Sequence, residues 1–137
     1  MNFDDLVWRA PPTGPGWESI PPEAVIWTDV ARFDRSWRAT QDYIGLNGVG
    51  SKQYGRYERV GVFLKAMIGK TRIYVPHVSI ENGTVIFTDG RHRFAWMRDR
   101  GLTALPIEVS DEAAREFRVR FESIERIGRF EASDYQD

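Results

Sequence analysis

Val85–Val109, VIFTDGRHRFAWMRDRGLTALPIEV, is the stretch that decides the fold. A β-type run, Thr84–Thr88, ends in Asp89-Gly90, three basic residues follow at Arg91, His92 and Arg93, and a helical pattern then runs to Gly101. Leu102–Val109 returns as a strand. A helix N-terminus already carries partial positive charge and unpaired N–H groups, so acidic side chains favour it and two arginines with a histidine do not. An anion at that point reverses the sign, and phosphate at a glycine-opened helix start is the usual solution. With Asp89 as the N-cap, Gly90, Arg91 and His92 become the first helical positions. Gly90 then allows close backbone approach, and the arginine forks suit phosphate oxygens. Strand, helix and strand joined this tightly predict a right-handed parallel βαβ crossover.

Upstream, Thr84–Thr88 and Val78–Ile80 flank Glu81-Asn82-Gly83, and Asn-Gly between apolar runs predicts a hairpin. Arg72–Val75 is extended. Arg56–Gly69 reads as a helix, with Val60, Phe63, Leu64, Met67 and Ile68 on an i, i+3, i+4, i+7, i+8 core stripe and a glycine stop. Before it, GLNGVGSKQYG (45–55) holds four glycines in eleven residues, either a flexible connection or backbone that approaches a ligand. Ala24–Val30 is a first strand, and Ala31–Ile44 a short helix or turn followed by irregular chain. After Val109, Ser110 is placed to cap a last helix with Ala114, Phe117, Phe121 and Ile124 as its apolar stripe. The expected organisation is a proline-rich arm over 1–22, a domain over 23–127 and a polar tail over 128–137. Five of the seven prolines lie in the first 22 residues. That segment is either an arm anchored by Trp8 and Trp17 or a disordered leader.

The formal net charge is −1, from 19 Lys and Arg against 20 Asp and Glu. Non-specific coating of duplex DNA needs a strongly basic face, so any nucleic-acid contact here is a local basic pocket. The absence of cysteine removes disulfides, thiolate metal sites and a thiol nucleophile. Two histidines, His77 and His92, argue against a multi-histidine zinc site, and no metal ligands are identified; His77 beside Pro76 reads as structural. No apolar run approaches the roughly 20 residues of a membrane span. The amino end lacks a basic-then-apolar signal pattern, which makes the cytoplasm the expected location.

The Val85–Val109 segment resembles the core of the ParB/sulfiredoxin superfamily, with Gly90, His92, Arg93, Ala95, Gly101, Leu102, Leu105 and Pro106 at the matching positions. The resemblance implies an α+β, mixed α/β, single compact domain with a small mixed sheet flanked by helices, whose turn and helix N-terminus bind nucleotide phosphates. Sulfiredoxins carry a catalytic cysteine where this chain has Arg91, so sulfinic acid reduction is excluded. The space after Val109 is too short for the helix-turn-helix reader and dimerisation region of a partitioning protein. Over 24–109 the pattern is more similar to plasmid fertility inhibition factors: Asp34, Trp37 and Asp42-Tyr43, then Gly55-Arg56-Tyr57, then Asp89–Trp96.

That second resemblance implies ATP or another NTP as ligand, with Mg²⁺ as its counter-ion. It also implies ATPase or DNase activity, interference with conjugative DNA transfer, and a conjugation or type IV secretion component as partner. The nucleotide site it implies comprises Gly90, Arg91, His92 and Arg93 with Arg56, Lys52 and Tyr57, the last stacking on a base. Asp89, Glu58 and His92 are the candidate catalytic groups. The competing reading is a non-enzymatic module that blocks its target through the aromatic-rich N-terminal half, Trp8, Trp17, Trp27 and Trp37.

Overall fold

In the computed structural model, residues 2–10 and 23–131 are described, and Trp17 lies outside them. The elements run β1 (Val7–Arg9), β2 (Glu23–Asp29), α1 (Val30–Trp37), a 3-10 turn at Leu46–Gly48, α2 (Arg56–Met67), β3 (Arg72–Tyr74), β4 (His77–Glu81), β5 (Thr84–Asp89), α3 (Arg91–Asp99), β6 (Ala104–Ser110), α4 (Asp111–Phe121) and β7 (Arg129–Glu131). The chain is thus the mixed α/β domain that the pattern implied. Its strands form two sheets, ordered β3-β1-β7 and β2-β6-β4-β5.

Asn82 (φ 52°) and Gly83 (φ 79°) both occupy the left-handed region, as a two-residue hairpin turn requires, and β4 pairs antiparallel with β5. The parallel βαβ crossover is not found. The hairpin places β4 between β5 and β6; β6 runs parallel to β4 and therefore antiparallel to β5. Helix α3 packs chiefly on α2, where a crossover helix would cover the sheet. β6 is buried from Ala104 to Val109 because it is central, with β2 on its other side over a seven-residue register.

Asp29 caps α1 by accepting the Arg32 N–H at 2.9 Å. Phe33 and Trp37 then enter the core: Phe33 meets Phe87, Phe94, Phe117 and Phe121 at 5.1–6.0 Å between ring centroids, and Trp37 meets Phe87 and Phe94 at 4.8 and 5.6 Å. Phe117 and Phe121 are the buried face of α4. Ile124, expected on that stripe, is fully exposed, because the helix has ended at Phe121. Ser110 holds the N-cap position, yet its side chain makes no capping bond.

The core stripe expected for α2 is rotated. Tyr57, Gly61 and Leu64 are its buried residues; Val60 and Met67 are half-buried, as is Ile68 just beyond its end, and Phe63 stays 51% exposed. Gly61 causes this: the Trp96 indole lies so close that a Cβ on Gly61 would sit 2.3 Å from Nε1. The two ends of the described chain also meet, since β1 pairs parallel with both β3 and β7, and Trp8 is buried. Arg129–Glu131, read as tail, is therefore a strand, started by the Arg129 N–H donating to the Leu6 carbonyl at 3.0 Å.

Candidate functional site

Helices α2 and α3 begin side by side, each from a glycine in the left-handed region, Gly55 (φ 74°) and Gly90 (φ 87°), and neither has a side-chain cap. Their first intrahelical bonds are Arg59 N–H to Gly55 O at 3.1 Å and Phe94 N–H to Gly90 O at 2.9 Å. Both starts face one hollow of about 170 Å³, lined by Gln53 and Arg56 from one side and Asp89–Arg93 from the other. Gly90 is required there twice over: its φ disfavours a side chain, and a Cβ would meet Pro76 Cα at 2.9 Å and Arg93 Nη2 at 2.8 Å. Asp89 is not the N-cap expected from sequence. It is the last residue of β5, exposed, and its carboxylate pairs with Arg93 at 3.4 Å, because the left-handed Gly90 occupies the capping position itself.

Two of the three basic residues are engaged by the glycine loop. Arg91 donates to the carbonyls of Asp42 and Ser51 at 3.3 Å, and His92 Nε2 shares a 2.7 Å hydrogen bond with the buried Ser51 hydroxyl. Burial lowers the His92 pKa from 6.5 to about 4, helped by the positive charges of Arg91 and Arg56. The ring is therefore neutral at pH 7. Arg93 reaches the Val75 carbonyl at 3.4 Å, and its buried Nε has no hydrogen-bond partner among the described residues. Arg56 is exposed; its backbone N–H donates to the Gln53 carbonyl at 3.0 Å, and its guanidinium makes no hydrogen bond or ion pair to a described residue. Arg56 and Arg93 are thus the cations with donors to spare, and Arg91 fixes the loop.

Lys52, Tyr57 and Glu58 line a separate cleft of about 840 Å³ along the glycine loop, which has Gln53 in common with the first hollow. Tyr57 cannot stack on a base as proposed from sequence. Its ring is buried under Gly48, its hydroxyl donates to Asp99 at 2.7 Å, and burial with that bond pushes its pKa up to about 12. Glu58 and Asp89 lie in different hollows, and no group of three His, Asp or Glu side chains converges among the described residues.

Sequence reasoning missed the network that holds the loop. Arg98 binds Asp34 at 2.8 Å and Asp99 at 2.9 Å, and Asp99 also accepts the Asn47 N–H at 3.0 Å. Asp34 accepts from Tyr43 at 3.1 Å and Arg38 at 3.2 Å. Ser51, the partner of His92, gave no signal beyond lying in a glycine-rich run, since 41 residues separate the two.

The fold and hollow together define a mixed α/β domain with a basic, glycine-walled recess of oxyanion size. The family model of the plasmid fertility inhibition factor matches residues 25–123, and the chain belongs to that family. Among solved structures, it is similar to the crystal structure of Oncogenic Suppression Activity Protein, a plasmid fertility inhibition factor, in its gold(I) cyanide derivative. That match has a TM-score of 0.57 and 19% identity, covering 76% of this chain and 59% of the other. At that identity the likeness is one of fold, and the matched region spans little more than half of the larger protein. No curated protein matches the chain. Among the described residues no helix is long and apolar enough to cross a membrane.

Proposed function

We propose that this fertility inhibition factor binds the phosphates of a nucleotide or nucleic acid at the Gly90 hollow, in the manner of ParB/sulfiredoxin-like domains. It would couple that binding to ATPase or nuclease activity and to interference with conjugative DNA transfer. One observation carries the reading: two uncapped helix starts and the guanidinium groups of Arg56 and Arg93 face a single recess. Helix starts supply N–H donors and partial positive charge, and arginine forks match phosphate oxygens. Among the described residues no three His, Asp or Glu side chains converge to hold a metal, so any Mg²⁺ would arrive on the phosphates. Neutral His92 has the hydrogen-bonding capacity to orient a phosphate or a water, the role left to it by its low pKa.

Addition of ATP is expected to raise the melting temperature, and Arg56→Ala with Arg93→Ala to abolish the rise. Phosphate release or plasmid nicking reports turnover. A wild-type protein whose melting temperature moves with neither nucleotide nor nucleic acid overturns the reading. The alternative, a purely surface-acting blocker, loses Trp8 and Trp37, which are fully buried, while Trp27 is half-buried and Trp17 lies outside the described residues. Its exposed apolar residues would instead be Leu46, Val49 and Tyr54 on the glycine loop. A conjugation component as partner belongs to either form of the proposal.

A further inference from the structure

The recess of about 170 Å³ is smaller than the roughly 300 Å³ from which pockets for drug-sized ligands run upward. It has room for the oxyanion, and whatever carries the oxyanion must lie outside. Two further hollows share lining residues with the recess. A hollow of about 250 Å³ shares Arg56, Val60 and Arg93 with it and extends to Arg59 and Phe63. The 840 Å³ cleft shares Gln53 with it and includes Lys52 and Tyr54.

Each of the two includes an uncovered aromatic ring. Phe63 lies seven residues after Arg56, on the same face of α2 as Arg59 and Val60, and it is half exposed where the helical pattern predicts burial. Tyr54 is fully exposed beside Lys52. The residues lining the three hollows include five basic side chains, Lys52, Arg56, Arg59, Arg91 and Arg93, against two acidic ones, Glu58 and Asp89. Asp89 is already paired with Arg93. The track is thus positive on a chain whose net charge is −1.

Resting on the phosphate reading above, we propose that the recess takes an internal phosphodiester of a single-stranded nucleic acid, with Phe63 and Tyr54 as stacking platforms for the bases on either side. A phosphate with room for a nucleoside on both sides is a diester within a strand, whereas a terminal phosphate needs only one. Duplex DNA withholds its base faces from such platforms, and an acidic peptide has no use for them. Basic tracks with interleaved aromatic rings are how single strands are held without sequence preference.

The test is fluorescence anisotropy of a labelled ten-residue oligothymidylate with the full chain, in competition with a ten-base-pair duplex and with poly-glutamate. The oligothymidylate is expected to bind and to resist both competitors. Phe63→Leu, which keeps an apolar side chain at an exposed position, should weaken it about 5- to 150-fold, the range for loss of one stacked base. Tyr54→Ala should weaken it within the same range, and Phe63→Tyr should restore it. Binding unchanged in both Phe63→Leu and Tyr54→Ala overturns the proposal, as does equal competition by duplex or by poly-glutamate. If ATP stabilises the protein but oligothymidylate does not bind, this inference fails and the phosphate reading stands. If neither ligand acts, both fail.

Discussion

Helices α2 and α3 start from left-handed glycines beside the same recess, yet they differ in what they do with the rest of their length. α3 buries His92, Phe94, Ala95, Trp96 and Met97, and Arg98 near its end gathers two carboxylates. α2 buries only Tyr57, Gly61 and Leu64 and turns Val62 and Phe63 to solvent. One wall of the recess is therefore part of the core and the other is a surface. Stability should be sensitive to α3, and recognition to α2, with the contact of Gly61 on Trp96 as the joint between them.

The largest effect is expected on the fixed wall. Arg98→Met would leave buried Asp99 without its cation and Asp34 with only the exposed Arg38, a change that costs about 3–5 kcal/mol. Urea unfolding measures it, and adding Asp34→Asn should recover part of the loss. A loss below about 1 kcal/mol would detach the network from the stability of this wall. The joint comes next. In an ordinary helix interior, glycine to alanine gains about 1 kcal/mol. Gly61→Ala should instead cost about 1–3 kcal/mol, because its Cβ meets the Trp96 indole. A gain in melting temperature would show that the two helices can part freely.

The comparison also explains what the sequence could reveal. The hairpin at Asn82-Gly83, the span of α2 and the glycine at the start of α3 are set by neighbours in the chain, so local pattern found them. The resemblance to fertility inhibition factors was legible for the same reason, through short local motifs: Asp34, Trp37 and Asp42-Tyr43, then Gly55-Arg56-Tyr57, then Asp89–Trp96. The sheet made by Val7–Arg9 with Arg72–Tyr74 and Arg129–Glu131 joins three-residue strands from distant parts of the chain, too short to show a period of two. Periodicity likewise marks an apolar face without saying how far a neighbour rotates it. Gly61 admits Trp96, so the buried line runs through Tyr57, Gly61 and Leu64 and not along the apolar stripe through Phe63. The site followed the same division: Gly90–Arg93 and Arg56 could be proposed from local order, while the capture of Arg91 and His92 by the loop around Ser51 could not.

That capture gives the smallest of the expected effects, and the one that reads the recess itself. His92 titrates near 4 in the folded protein and near 6.5 when unfolded, so the unfolded chain takes up the proton first. Stability should accordingly fall as pH drops from about 6.5 and stop falling, for this residue, below about 4. Screening of the neighbouring charges by solvent limits the loss to about 1 kcal/mol between pH 6.5 and 5. His92→Gln keeps a hydrogen-bonding group facing Ser51 and carries no titrating proton, so its urea midpoint should vary less with pH than that of the wild type. Part of the depression comes from Arg91 and Arg56. An anion held by Arg56 would offset that repulsion and raise the folded pKa, so phosphate should flatten the wild-type slope while leaving that of His92→Gln unchanged. A slope indifferent to phosphate in both proteins would place the anion, if it binds, away from the joint between the two helices.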